Sequence, residues 1–181
     1  DLQAVPPPIS YPTTNEKYTG RISNGVQLCW REGQTEADLL ANIKEHLAPL
    51  VDFARAQLAG MEDEFATIPI WFKATGGARE LTAPARQQLM TGVRQLLSDK
   101  DVCPFYFHYS MARIISGEEE AVFSWACMNF LYGHLIPESQ GMGQVITGGN
   151  SSSVSYGTID LGGSSTQIAF YLPSEDIMEG L

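Results

Sequence analysis

The chain has 181 residues, enough for one domain or a large part of one, and its 44% hydrophobic and 18% charged residues can fill a sizeable core. Its formal charge of -10 argues against nucleic acid or an anionic membrane surface as partner, although a nucleotide is compatible if a metal and backbone amides supply the local field. No run is long and apolar enough to span a bilayer, Asp1-Leu2-Gln3 does not read as a signal peptide, and Cys29, Cys103 and Cys127 match no zinc spacing. Those three cysteines allow one bridge plus a free thiol, or three buried thiols.

Residues 1–34 are rich in Pro and Gly, Pro6-Pro7-Pro8 above all, and read as irregular. At Thr35 the pattern changes. Thr35-Glu36-Ala37-Asp38 resembles a capping box with Asp in place of the usual Glu, and Leu39, Ile43, Leu47, Leu50, Ala54 and Leu58 follow at helical spacing. Pro49 falls inside that stripe and is expected to kink or split the helix. Ile68 to Ala74 reads as a buried strand ended by Thr75-Gly76-Gly77. A second helix has Thr82 or Ala83 near its cap, Pro84 in its first turn, and Leu89, Val93, Leu96 and Leu97 inward. Phe105 to Phe107 and Met111 to Ile115 read as strand, with a break around His108. Ser116-Gly117-Glu118-Glu119 opens a third helix, on which Ala121, Val122, Trp125, Met128, Asn129 and Tyr132 sit near one face, the aromatics among them expected to pack in the core. Strands alternating with helices of this size predict an α/β domain.

Asn150-Ser151-Ser152 fits an N-glycosylation acceptor in the polar loop from Gln140 to Ser155, a hint of a secreted protein. Tyr156 to Tyr171, YGTIDLGGSSTQIAFY, then reads as a strand, a glycine turn and a returning strand. Glycine allows successive N–H groups to line a concave anion site, so the turn can grip phosphate. Asp160 cannot bind phosphate, since both are negative. It suits the water shell of a divalent cation that bridges to the phosphate.

Three loops follow apolar strands: Lys73 to Arg79, Ser116 to Glu120, and the Gly162 turn. In α/β sheets ligands collect at the carboxyl ends of strands. Glu118, Glu119 and Glu120 occupy a helix N-terminus, where the macrodipole stabilises anions, and one of the three can also orient a water against a phosphoryl group.

Taken together these motifs resemble the apyrase family, the ecto-nucleoside triphosphate diphosphohydrolases and their nucleoside-diphosphatase relatives. ATGGARE at Ala74 to Glu80 resembles the family's second signature, usually ATAGMR. Ala112 to Gly133, ARIISGEEEAVFSWACMNFLYG, resembles the third, an SGxEEGxYxWxxxNYLLG pattern, and GTIDLGGSSTQI at Gly157 to Ile168 resembles the fourth, commonly GALDLGGASTQ. The resemblance runs from about Gly20 to the end. It implies an RNase H-like fold of the actin-like ATPase superfamily, with residues 35–181 forming most of the first of two family domains.

The resemblance also implies roles. Glu120 falls on the catalytic base, Ser165 on the hydroxyl that holds the attacking water, Gln167 on its support, and Thr75 borders the water. Gly162, Gly163 and Ser164 supply amides to the terminal phosphates, and Asp160 holds Ca²⁺ or Mg²⁺ through water. Arg79 matches the signature arginine, as a loop anchor or a substrate contact. The implied activity is metal-dependent hydrolysis of nucleoside tri- or diphosphates, outside the cell or in the secretory lumen. The departures are Gly76, Ala78, Ala121 and Ser164, small swaps near backbone, and the family's first signature, DxGSSxTR, which nothing before Thr75 matches. The first phosphate loop and second domain are therefore expected from other polypeptide, and residues 1–181 alone are expected to be inactive. A non-catalytic scaffold lacking the first loop is the alternative.

Overall fold

The computed structural model of the protein describes residues 19–131 and 155–172. Contacts divide the chain into two compact units, the boundary falling between Ser116 and Gly117. The span 35–181, read from the sequence as one partial domain, is thus shared between them. Both mix helix and strand.

In the first unit, α1 (Glu36–Gln57) starts at the capping box expected from the sequence. The Thr35 hydroxyl oxygen accepts from the Asp38 amide at 3.1 Å, while Asp38 Oδ2 accepts from the Thr35 hydroxyl at 2.7 Å and from its amide at 3.3 Å. The hydroxyl, and then the backbone N–H, hold the Asp38 carboxyl below its ordinary value. A carboxyl depressed in the folded state contributes stability above its unfolded value and loses it as pH falls through the folded value. Acid should therefore lower the unfolding midpoint, and Asp38→Asn should show a smaller acid-induced decline when the two are compared by thermal unfolding across pH.

Pro49 neither splits nor ends α1, which runs on to Gln57. Proline forfeits one helical hydrogen bond, and burial of Leu39, Ile43, Leu47 and Val51 along one face outweighs that loss. The partner face belongs to α3 (Ala83–Ser98), capped by Thr82 with Pro84 in the first turn, which buries Leu89, Met90, Val93, Leu96 and Leu97. The two helices approach closely at Gly92, where a Cβ would stand 2.7 Å from Cδ1 of the fully buried Ile43. Phe65 and Phe105, with ring centroids 5.0 Å apart, close the core alongside Cys103. Within residues 1–34 the sequence reading also missed a 3₁₀ turn, Val26–Cys29, whose Cys29 joins that core.

The strands are shorter than expected. β1 is Phe72–Ala74 and β2 is Ala112–Ile114, paired in parallel with Phe72 opposite Ala112 and Ala74 opposite Ile114. Upstream, Pro69 makes only an isolated bridge to Tyr106, so neither Ile68–Ile70 nor Phe105–Phe107 is a continuous strand. Trp71, expected to be buried, is exposed with Lys73 over its ring. His108 does mark the break, capping a 3₁₀ turn at Tyr109–Met111. Past β1 the chain enters a four-residue helix, α2 (Gly76–Arg79), where a loop was expected. Arg79 anchors this loop by donating from Nη1 to the Ile115 carbonyl at 2.9 Å.

The second unit packs α4 (Gly117–Leu131) on an antiparallel hairpin, β3 (Thr158–Leu161) and β4 (Thr166–Ala169). Asp160 stands opposite Gln167, and Ile159 opposite Ile168. Because side chains alternate along a strand, Asp160 and Gln167 share one face and the two isoleucines the other. The second face is open: Ile159 is 68% exposed and Leu161 78%. On the α4 face picked out from the sequence, Trp125 is half-buried, Val122 and Met128 are exposed, and Asn129 is completely buried. Among the described residues the cysteines are all free, Cys29 and Cys103 buried and Cys127 exposed, which corrects both readings, one bridge plus a free thiol and three buried thiols. Burial pushes the Cys29 and Cys103 thiols up from their ordinary value. Tyr132 and Asn150-Ser151-Ser152 lie outside the described residues.

Candidate active site

The helix and hairpin of the second unit are joined by polar side chains at three levels. Glu120 lies in the first turn of α4, Ser124 one turn further along, and Asn129 near its end. Residues four apart on a helix share a face, so Glu120 and Ser124 present to the same surface. At the first level Gln167 Nε2 donates to Glu120 Oε2 at 3.2 Å and to Ser165 Oγ at 2.7 Å. At the second, the Ser124 hydroxyl donates to Asp160 Oδ2 at 2.9 Å. At the third, Asn129 Nδ2 donates to the Trp125 and Tyr156 carbonyls at 2.8 and 3.0 Å, and its Oδ1 accepts from the Tyr156 amide at 2.8 Å.

Gln167 is the hub. Its amide group has two protons, and they go to two acceptors that belong to different elements. The residue is only 8% exposed, and its Oε1 is a buried acceptor with no hydrogen-bond partner among the described residues. A buried acceptor left without a donor costs about 1–3 kcal/mol, so a water or ligand group donating there is favoured. Glu120 and Ser165 are both half-buried, flanking that atom's amide.

The hairpin turn is closed by a hydrogen bond from the Gly162 amide to the Ser165 carbonyl at 2.9 Å. Neither Gly162 nor Gly163 has a positive φ, so left-handed geometry does not explain these glycines. At Gly162 the cause is contact, since a Cβ would come 3.1 Å from Ser165 O. At Gly163 a Cβ would meet no protein atom within 4 Å, so its glycine is not required by the fold around it. Gly162, Gly163 and Ser164 are all exposed.

Of the sequence-predicted residues, Glu120, Ser165 and Gln167 are brought into one hydrogen-bonded group, and Asp160 lies directly across the ladder from Gln167. Thr75 belongs to the first unit, where it is exposed at the start of α2. Glu118 and Glu119 occupy the first helical turn with Glu120. The sequence reading missed Ser124 as a partner of Asp160 and gave Asn129 only a place on one face of the helix. The spacing of four from Glu120 to Ser124 was the available signal. Among the described residues no group of three or more His, Cys, Asp or Glu is placed to hold a metal. The donors on this face are hard oxygens, which suit a Ca²⁺ or Mg²⁺ that keeps much of its own water.

Comparison with known proteins places these residues in a family. Residues 35–180 match the model of the GDA1/CD39 (nucleoside phosphatase) family. The Golgi apyrase of Saccharomyces cerevisiae is 33% identical over 129 residues, covering 70% of this chain and 19% of that protein. Ectonucleoside triphosphate diphosphohydrolase 7 of Homo sapiens is 32% identical over 142 residues, 76% of this chain and 22% of its own length. Ectonucleoside triphosphate diphosphohydrolase 2 of Mus musculus reaches 36% over 120 residues, 64% of this chain and 22% of its own. The chain therefore spans about a fifth of the length of the curated relatives it matches.

Proposed function

Because the chain belongs to the GDA1/CD39 nucleoside phosphatase family, we propose that in the intact protein it contributes to the hydrolysis of terminal phosphates of nucleoside tri- or diphosphates. The observation that carries the reading is Gln167, which ties Glu120 to Ser165 and keeps an unpartnered acceptor beside them. A water donating to Gln167 Oε1 would stand within reach of the Glu120 carboxylate. Glu120 takes that water's proton as its oxygen attacks the terminal phosphorus. The bond to the bridging oxygen breaks, releasing inorganic phosphate and the shortened nucleotide. A loose transition state asks little basicity of the acceptor, so a carboxylate suffices.

The exposed turn at Gly162, Gly163 and Ser164 offers its amides to the phosphates, and the missing side chain at Gly163 leaves the approach open. Asp160 would hold Ca²⁺ or Mg²⁺ through water, and the cation's contribution when bound is to neutralise charge on the phosphates. Thr75 is assigned to the border of the water by the family signature alone, and the RNase H-like, actin-like fold belongs to the same reading. The relatives' names, a Golgi apyrase and an ectonucleoside triphosphate diphosphohydrolase, support a site of action in the secretory pathway or outside the cell. Among the described residues no helix is long and apolar enough to cross a membrane.

The first phosphate loop and the second domain belong to further polypeptide in this reading, consistent with the relatives' length and with the open apolar face of the hairpin. Residues 1–181 alone should release no appreciable phosphate from ATP; metal-dependent turnover by that piece would show a more complete site. Specificity within the acidic turn is testable in the intact protein. Glu119→Gln should leave turnover within about twofold of wild type, since a carboxylate at a helix N-terminus contributes only about 0.3–2 kcal/mol of stability. A loss as severe as that of Glu120→Gln would show that the base is the other glutamate or the pair.

A further inference from the structure

We infer that Ser124 is a positioning residue that sets the orientation of the Asp160 carboxylate toward the cation. The inference rests on the metal role proposed for Asp160. Ser124 occupies the position between Phe123 and Trp125 that the quoted signature leaves open, so the motif itself assigns it nothing. The structure assigns it a partner: its hydroxyl donates to Asp160 Oδ2 at 2.9 Å across a sequence separation of 36.

The physical case starts from rigidity. Asp160 sits on β3 one residue before its end, in register with Gln167, so its backbone is held by the ladder. Its side chain still has two rotatable bonds, and the donor on α4 selects among their rotamers. Ser124 itself stands on a helix, one turn from Glu120, so the same element that carries the proposed base also fixes the proposed metal carboxylate. A serine in a helix interior has little intrinsic reason to be there, because it competes for backbone hydrogen bonds and is a weaker helix former than alanine. Here the hydroxyl is spent on a side chain of another element instead. A carboxylate already pinned through one oxygen pays less to order itself around a hydrated cation, which raises affinity without a new ligand.

The test uses the intact protein with a non-hydrolysable nucleotide and Mn²⁺ as the probe, its binding followed by electron paramagnetic resonance. Ser124→Ala should weaken Mn²⁺ binding about tenfold, the scale of one charge-assisted hydrogen bond, and raise the half-saturating Mg²⁺ or Ca²⁺ for hydrolysis in parallel. Turnover at saturating metal should stay within about threefold, and thermal stability should not fall, because alanine is the better helix former. Ser124→Thr, which keeps the hydroxyl, should restore metal affinity. Adding Ser124→Ala to Asp160→Asn should weaken binding no further, the signature of two groups acting through one contact.

The outcomes separate the two claims. Unchanged Mn²⁺ binding in Asp160→Asn would remove the metal role of Asp160 and this inference with it. Weak binding in Asp160→Asn with unchanged binding in Ser124→Ala would overturn the positioning role alone. Equal losses in Ser124→Ala and Ser124→Thr would also overturn it, by showing that packing rather than the hydroxyl matters.

Discussion

Glu120→Gln in the intact protein should cut turnover by about 10²-fold or more, the scale on which a general base contributes. The substitution keeps the size of the side chain and an oxygen that can still accept from Gln167 Nε2, now 3.2 Å from Glu120 Oε2. What it removes is the capacity to take a proton and a negative charge close to bound phosphate. Nucleotide affinity should therefore be retained or slightly improved, and the loss should appear in kcat rather than KM. Such a split marks an interaction made in the transition state rather than in substrate binding. Phosphate release and nucleotide binding measured on the same preparation decide the point; unimpaired turnover would remove Glu120 as the base.

The second large effect is on folding. Asn129 is completely buried and mimics a backbone partner for Tyr156, donating to its carbonyl and accepting from its amide, while a further bond goes to Trp125 O. Asn129→Asp retains the acceptor for the Tyr156 amide but sets a carboxylate oxygen against the Tyr156 and Trp125 carbonyls. Two favourable contacts become repulsive, and a charge is buried without a counter-ion. The expected cost is about 3–5 kcal/mol, at the upper end for point substitutions, and urea unfolding should report it directly. Since the contact fixes the entry to β3, the variant that does fold should also hold Asp160 less well. Asn129→Asp with wild-type stability would mean that this clamp does not hold the hairpin on α4.

Much of this architecture was legible in the residues, for reasons that can be stated. The α1 and α3 helices were readable because their cues are local: a capping threonine, a proline in the first turn, and apolar residues at helical spacing. The hairpin was readable for the same reason, two β-branched runs joined by Gly-Gly-Ser-Ser. The split expected at Pro49 does not occur because tertiary burial of Ile43, Leu47 and Val51 overrides a local penalty. The strands around Trp71 and Tyr106 were overdrawn, since short apolar runs do not reveal how many of their residues find a pairing neighbour.

The site divides similarly. The types and order of Glu120, Asp160, Ser165 and Gln167 were visible in the signatures, but which of them touch was not. Direct register between Asp160 and Gln167 follows from the length of the turn, and the reach from α4 to the hairpin is a long-range contact. Ser124 and Asn129 were passed over because a serine and an asparagine within a helix read as ordinary surface or core positions until a partner is seen.

The most direct test of the account is a crystal structure of the intact protein with a non-hydrolysable nucleoside triphosphate and Mg²⁺ or Ca²⁺. It should show the terminal phosphate on the amides of Gly162, Gly163 and Ser164. It should also show an ordered water about 2.6–3.2 Å from both Gln167 Oε1 and the Glu120 carboxylate, in line with the scissile bond. A terminal phosphate bound away from the Gly162 turn, or a Glu120 carboxylate with no water between it and the phosphorus, would contradict it.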